Sequence, residues 1–321
     1  MRVDSDEYRK KLGKYIKDNR KARKLSREAL VWDEARGAAI CSTKYLSAIE
    51  AGSRKASRQI IQDLLERMGL DLERWDKEAE REMRVRFDNE FEEIMGLLVK
   101  EDYQGAKAHY EALVQAGYYE KELPYYRQHV VFLTYHLPEE QGQLTMAQIR
   151  ELLKMSQPRL FKAEEIDLGY LAGTEFEMIE YRLLNVLGVE LWNDGKTKEG
   201  IVVFKAMIKS LLRKLVEIEV RRVLLPLMHY NLSKAWIGEG AYEETIKTCQ
   251  TGMVYALEKG MSPYFPLLKY NEGVALWHLQ RLDEARQLLI EARGLFRILK
   301  DEKSAQFVEQ MAIEKYVLTL D

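Results

Sequence analysis

The stretch LSREALVWDEARGAAICSTKYLSAIEAGSRKASR, residues 25–58, decides how the N-terminal part of this chain is read. Ser26 predicts a helix from Arg27 onward, because a serine hydroxyl accepts a hydrogen bond from a first-turn N–H that has no intrahelical partner. Ser42 predicts the same for a helix over 43–50. Gly52 marks its stop, since glycine enters the left-handed region without a Cβ penalty. On that helix Leu46 and Ile49 stand three apart and face inward with Tyr45 beside them. Thr43, Lys44 and Ser47 form a polar row near its N-terminus, and Arg54, Lys55 and Arg58 follow at once. Two short helices, the second with a polar exposed first turn and a basic loop behind it, match the geometry that lays a helix in the major groove of DNA.

The flanks fit. Residues 7–24 read as a preceding helix, with Tyr8, Leu12, Tyr15 and Ile16 apolar and Arg20, Lys21, Arg23 and Lys24 basic. Ser57 predicts a further helix in which Ile60, Ile61, Leu64, Leu65 and Met68 repeat at helical spacing before Gly69. A charged helix over about 74–95 comes next. Residues 1–60 carry 16 Lys and Arg against 8 Asp and Glu, whereas the rest carries 34 against 44. A basic module on an acidic body is the footprint of a nucleic-acid binder with a second domain.

The run ST-x-YLS-x-IE-x-G-x-RK-x-S resembles the recognition-helix segment of Xre/Cro-type helix-turn-helix domains, and LGKYIKDNRKARKLSREAL, residues 12–30, resembles their first helix and the start of the second. The match covers roughly 8–70. Arg27 stands where the family usually has Gln, and Ala48 where Arg or Lys is common. The connection over 31–39, VWDEARGAA, is several residues longer than usual, which leaves open a displaced recognition helix or simply a longer loop.

With 321 residues, 46% hydrophobic, only 6 Pro and 19 Gly, and no alternating β-branched runs, the chain should be all-α. Cys41 and Cys249 form no CxxC or Cys/His pattern, so neither a disulfide framework nor a zinc site is expected. His109, His129, His136, His229 and His278 are scattered. His129 and His136 stand seven apart on one helix face, without a carboxylate at ligand spacing. No Ser/His/Asp spacing, P-loop or dinucleotide loop appears, so we expect no enzyme, cofactor or metal. The N-terminus has no apolar core of a signal peptide, and no apolar run reaches membrane-spanning length, which makes a cytoplasmic location, away from membranes, the expectation.

From about Phe91 the chain reads as paired helices, beginning with a helix, a turn at Glu101-Asp102-Tyr103 and a second helix. Segments over 123–137, 144–161 and 164–195 follow. Three later segments then align, from Leu183, His229 and Lys269. Trp192, Trp236 and Trp277 recur at intervals near 40, each segment carrying an Asn, a small or β-branched residue four later (Val189, Ala235, Ala275) and a small residue after the turn (Gly200, Thr245, Ala285). Such a period means a solenoid. The motif resembles the tetratricopeptide repeat with a longer spacing. In such solenoids the first helix of each pair lines the concave face. Asn185, Asn231 and Asn271 occupy equivalent positions there, and three carboxamides in register could hydrogen-bond an extended peptide backbone whatever its sequence. Tyr181, Tyr230, Tyr270 and His229 would supply side-chain pockets. The same asparagines could instead bridge neighbouring helices. A C-terminal helix, roughly 304–318, is expected to cap the last repeat in preference to forming a dimer contact.

A head resembling Xre on a body resembling tetratricopeptide repeats is similar to the peptide-responsive quorum-sensing regulators of Gram-positive bacteria, the Rgg, PlcR and PrgX group. The resemblance implies three parts: a helix-turn-helix domain at 1–72, a linker helix at 73–95, and a right-handed tetratricopeptide-like repeat domain at 96–321 for peptide binding and dimerisation. It implies a homodimer on double-stranded operator DNA, controlled by a short signalling peptide. Thr43, Lys44 and Ser47 would meet base edges, Arg20, Arg27, Arg54 and Lys55 phosphates, and Asn185, Asn231 and Asn271 the peptide. Two rivals remain: an adaptor whose repeats bind and inhibit a partner protein, against which the basic head argues, and a DNA-binding regulator whose repeats take a protein partner and no peptide.

Overall fold

A computed structural model describes residues 6–34, 36–117, 124–137, 145–163, 165–258 and 260–320. Ala35 in the long connection, and Leu123, Leu144 and Glu164 at the starts of expected segments, lie outside the described residues. The chain divides into two compact units, 1–123 and 124–321.

The first unit begins with α1 (Asp6–Ala22) and α2 (Arg27–Val31), followed by strands β1 (Trp32–Asp33) and β2 (Ala38–Ala39). Then come α3 (Thr43–Glu50), α4 (Arg58–Glu66), α5 (Leu72–Val99) and α6 (Tyr103–Gln115). All three serines cap as their positions demand: Ser26 Oγ accepts from Ala29 N at 3.1 Å, Ser42 Oγ from Tyr45 N at 3.1 Å and Ser57 Oγ from Ile60 N at 3.3 Å. Each such cap stabilises its helix by about 1 kcal/mol. The head core joins Tyr8, Leu12 and Ile16 of α1 to Leu30, Leu46, Ile49, Ile61, Leu64 and Leu65. Glycine decides the approach of α1 to α3, since a Cβ on Gly13 would stand 2.2 Å from the Ile49 carbonyl oxygen. Gly52 has φ +69°, and a Cβ there would meet Lys10 Cα at 2.6 Å. Helix α5 starts on the head, with Trp75 stacked on Tyr15 at 4.3 Å, and continues unbroken to its antiparallel partner α6 across the expected turn, capped by Asp102.

Within the long connection, Trp32–Asp33 and Ala38–Ala39 pair as a two-stranded hairpin. Trp32 pairs with Ala39 and Asp33 with Ala38, and Gly37 takes a positive φ at the tip. Arg36 anchors it on α4 through Asp63 at 2.7 Å. The extra residues are thus absorbed outside the helix pair: Leu30 of α2 and Leu46 of α3 share one core, and α3 starts at its Ser42 cap.

The second unit opens with α7 (Pro124–His136) and α8 (Met146–Ser156), a small hairpin β3 (Phe161–Lys162) and β4 (Glu165–Ile166), and α9 (Leu168–Gly173). A regular stack follows: α10 (Met178–Asn193), α11 (Thr197–Leu211), α12 (Ile218–Gly238), α13 (Tyr242–Leu257), α14 (Tyr264–His278) and α15 (Leu282–Ile298), closed by α16 (Glu302–Glu314). Each helix packs on the next, and α10, α12 and α14 also meet one another more closely than α11, α13 and α15 do, so this stack curves with the first helices of the pairs inside. The small residues sit where paired helices cross: Thr245 and Ala285 are fully buried, and a Cβ on Gly200 would reach the Gly188 carbonyl oxygen at 2.9 Å. Helix α16 and the tail after it cover the end, with Val308, Ala312, Tyr316 and Leu320 packed into one cluster with Val274, Leu289 and Phe296. The Trp277 indole N–H donates to Tyr316 O at 2.9 Å. Capping of the last repeat is what this helix does.

Candidate nucleic-acid interface and peptide groove

In the head, Lys44 is exposed and Thr43 and Ser47 are half-buried in the first turns of α3, so the polar row is at the surface. The loop behind it is pinned. Ser53 N and Oγ both donate to Ala48 O, at 3.0 and 3.1 Å, and Tyr45 OH donates to Lys55 O at 2.7 Å. Arg54 and Lys55 are exposed on that fixed loop.

Arg20 is a different matter. It is 8% exposed, and its guanidinium donates to both Glu50 oxygens, at 2.6 and 3.1 Å, and to Leu25 O at 2.9 Å. Arg27 adds a third bond to Glu50 at 2.9 Å while leaving part of its side chain exposed. Glu50 therefore ties together α1, α2 and α3. Burial pushes its carboxyl up, but the bonds and charges of Arg20 and Arg27 outweigh that and hold it below the ordinary carboxylate range. Arg20 is thus a structural residue, not a phosphate contact, and Arg27 divides its guanidinium between Glu50 and solvent. The signal was present in the spacing, because Arg20 lies four after Ile16 and eight after Leu12, on the apolar stripe of α1.

On α5 and α6, Glu90, Glu93 and His109 come together, the one group among the described residues with metal-ligand chemistry. Each imidazole nitrogen faces a different carboxylate, Nδ1 to Glu90 at 3.1 Å and Nε2 to Glu93 at 3.9 Å. The hydrogen bond that His109 donates to the Glu90 carboxylate, together with both carboxylate charges, raises the His109 pKa against the opposing effect of burial. The two carboxylates thus favour the charged form of the ring, and the three side chains clasp α5 to α6.

In the repeat unit the asparagines form a relay across the inner helices. Asn231 Nδ2 donates to Asn185 Oδ1 at 2.6 Å, joining α12 to α10. Asn271 Nδ2 donates to Ser233 Oγ at 2.8 Å, joining α14 to α12. Asn271 is 4% exposed and is a bridge between helices. Asn185 and Asn231 are half-buried, and after their mutual bond the Asn185 amide hydrogens and the Asn231 carbonyl oxygen still have hydrogen-bonding capacity. Tyr230 and Tyr270 are half-buried; the first lies 5.8 Å from Tyr264, the second 5.8 Å from Phe307. Tyr181 and His229 point the other way. Tyr181 is fully buried against α11 with its hydroxyl on Ser210 at 2.6 Å. His229 is 4% exposed, its Nδ1 2.8 Å from Leu225 O and its ring 5.4 Å from Tyr255 of α13. Both belong to the packing between the two layers of the stack rather than to pockets on the inner face. Burial pushes His229 below its ordinary value, so it packs as a neutral ring. Between α10 and α12 the sequence reading missed Lys234, whose Nζ lies 4.8 Å from the Trp192 ring and 5.5 Å from that of Tyr230.

A head of short helices followed along the chain by a curved stack of helix pairs is the class of architecture present. No family profile matches the chain, and no curated protein does. Among solved structures, PlcR of Bacillus thuringiensis in complex with the peptide PapR7 and DNA matches with a TM-score of 0.56 at 20% identity, over 93% of this chain and 99% of that one. The apo form of the same protein matches with a TM-score of 0.63 at 17% identity, over 93% and 98%. The chain has the PlcR fold along nearly its whole length. Among the described residues no helix is long and apolar enough to cross a membrane.

Proposed function

We propose that this protein is a sequence-specific DNA-binding transcriptional regulator whose activity is set by a short signalling peptide held on the inner face of its repeats. The observation that carries the reading is the capped α3, with exposed Lys44 flanked by Thr43 and Ser47 and followed by a basic loop fixed through Tyr45. The head spans 1–72, and the repeats from 96 onward hold the peptide and the dimer contact. A homodimer places two heads on a two-fold operator, as a small single helix-turn-helix needs for useful affinity. Arg54 and Lys55, with the exposed part of Arg27, supply salt-dependent phosphate contacts; Thr43, Lys44 and Ser47 discriminate bases. Asn185 and Asn231 hold the peptide backbone. The peptide acts only to the extent that it prefers one curvature of the stack over another. The fold shared with PlcR, whose solved complex contains both a peptide and DNA, supports this reading.

Fluorescence anisotropy of the purified protein on DNA flanking its own gene, across a salt series, tests it. A steep salt slope with one fragment retained over competitor DNA is the expected result. Weak binding that is equal for every fragment would overturn the reading in favour of the adaptor, whose target is a partner protein.

A further inference from the structure

The inner seam between α10 and α12 holds a cation to which no described residue supplies an anion. Lys234 lies on α12, one turn beyond Asn231, and Trp192 lies on α10, two turns beyond Asn185. The lysine is half-buried, and its ammonium sits against two aromatic faces, Trp192 at 4.8 Å and Tyr230 at 5.5 Å. Among the described residues no carboxylate ion-pairs with it. Burial lowers its pKa with no neighbouring charge opposing the shift. The other half-buried lysine of the inner layer, Lys269, is answered by Glu291 at 2.7 Å. Aromatic faces offset part of the desolvation of an ammonium, but they leave its N–H donors without acceptors. A carboxylate from outside would satisfy those donors in a partly desolvated site, where charge-assisted hydrogen bonds are strongest.

We propose that Lys234 is the carboxylate-recognising position of the peptide groove, taking either the C-terminal carboxylate or an Asp or Glu side chain of the bound peptide. This rests on the peptide reading above and adds the charge of the ligand to it. The Asn185–Asn231 pair, one turn away, holds peptide backbone irrespective of sequence, so Lys234 supplies the register: the carboxylate is fixed beside Trp192 and the chain runs from there along the asparagines.

The test presents three pools of short synthetic peptides to the immobilised full-length protein. The first has amidated C-termini and no acidic residues, the second free C-terminal acids and no acidic side chains, and the third amidated C-termini with one Asp or Glu. Mass spectrometry of retained peptides should show the second or the third pool enriched about tenfold over the first, the scale of one charge-assisted hydrogen bond. Which pool is enriched identifies the source of the carboxylate. K234M, which keeps the aliphatic stem against the rings, should lose the enrichment, and K234R should keep it. Equal retention of all three pools, or enrichment that persists in K234M, overturns the assignment of Lys234 and leaves the peptide reading standing. Retention of no peptide from any pool overturns both.

Discussion

The head and the repeat unit hold their helices together with different polar chemistry. In the head the tie is ionic: the Glu50 side chain is 1% exposed and is held by Arg20 and Arg27 from two other helices. In the repeat unit the ties among α10, α11, α12 and α14 named above are neutral, Asn231 on Asn185, Asn271 on Ser233 and Tyr181 on Ser210, while the ion pairs Lys269–Glu291 and Arg293–Glu309 have their carboxylates partly exposed. A buried carboxylate is costly unless fully answered, so the head's tie is close to all-or-none. Neutral pairs spread along a stack can be lost singly, because each repeat leans mainly on its neighbours. A head built from a few short helices gains a fixed angle from one strong node; a long stack gains its shape from many weak ones.

The largest effect should follow from breaking the ionic node. R20M removes one partner and leaves Glu50 buried beside Arg27 alone, which should cost about 3–5 kcal/mol in denaturant unfolding of the head and abolish DNA binding. A loss no greater than that of a neutral pair would erase the contrast between the units. Next comes the exposed row. K44A should leave stability unchanged but cost about 1–3 kcal/mol of operator binding and relax base preference. If operator preference survived K44A, the assigned face of α3 would be wrong.

Smaller effects follow from N271A in the repeats and K55A in the head. N271A should cost about 1 kcal/mol in thermal unfolding, the ordinary net value of a neutral hydrogen bond. K55A should weaken binding to all sequences alike and reduce the salt slope by about one, measured by anisotropy.

Acid sharpens the same comparison. Glu50 lies below its unfolded value, so its contribution to the head is full above the ordinary carboxylate range near about 4 and is lost as pH falls below it. In the repeat unit, burial together with the charge of Arg182 lowers His136 to about 4, and burial lowers His229. A depressed histidine stabilises fully above its unfolded value near about 6.5 and progressively less as pH falls toward the folded value. The repeats should therefore begin to lose stability at a higher pH than the head, as read by circular dichroism along a pH series. The reverse order would mean that these two histidines do not govern the acid response.

Local signals were legible without the structure. The helix over 43–50 and its Ser42 cap, the Gly52 stop and the recurring tryptophans all depend on spacing and on bonds between residues a few positions apart. Which face a polar residue on a helix presents was legible only in part, since the spacing that places Arg20 on the apolar stripe of α1 competed with the basic residues around it. Arg20 read as part of a basic face, Tyr181 and His229 as pocket residues, yet all three point into packing. Lys234 attracted no notice, because an isolated lysine in a helix usually marks solvent. The hairpin over 32–39 left only an excess of length as its trace, for two-residue strands are too short to show an alternating pattern.

The sequence by itself determined the three serine caps, the Gly52 stop, the all-α class and the recurring tryptophans, because caps, glycine stops and helical periodicity act within one or two turns. Only the tertiary structure decided that Glu50 and Arg20 form a buried node, that Asn271 is a bridge, and that Lys234 lies against two aromatic rings with no carboxylate paired to it among the described residues. Those are properties of residues 30 or more positions apart in most cases, and burial and charge compensation exist only once distant helices have been brought together.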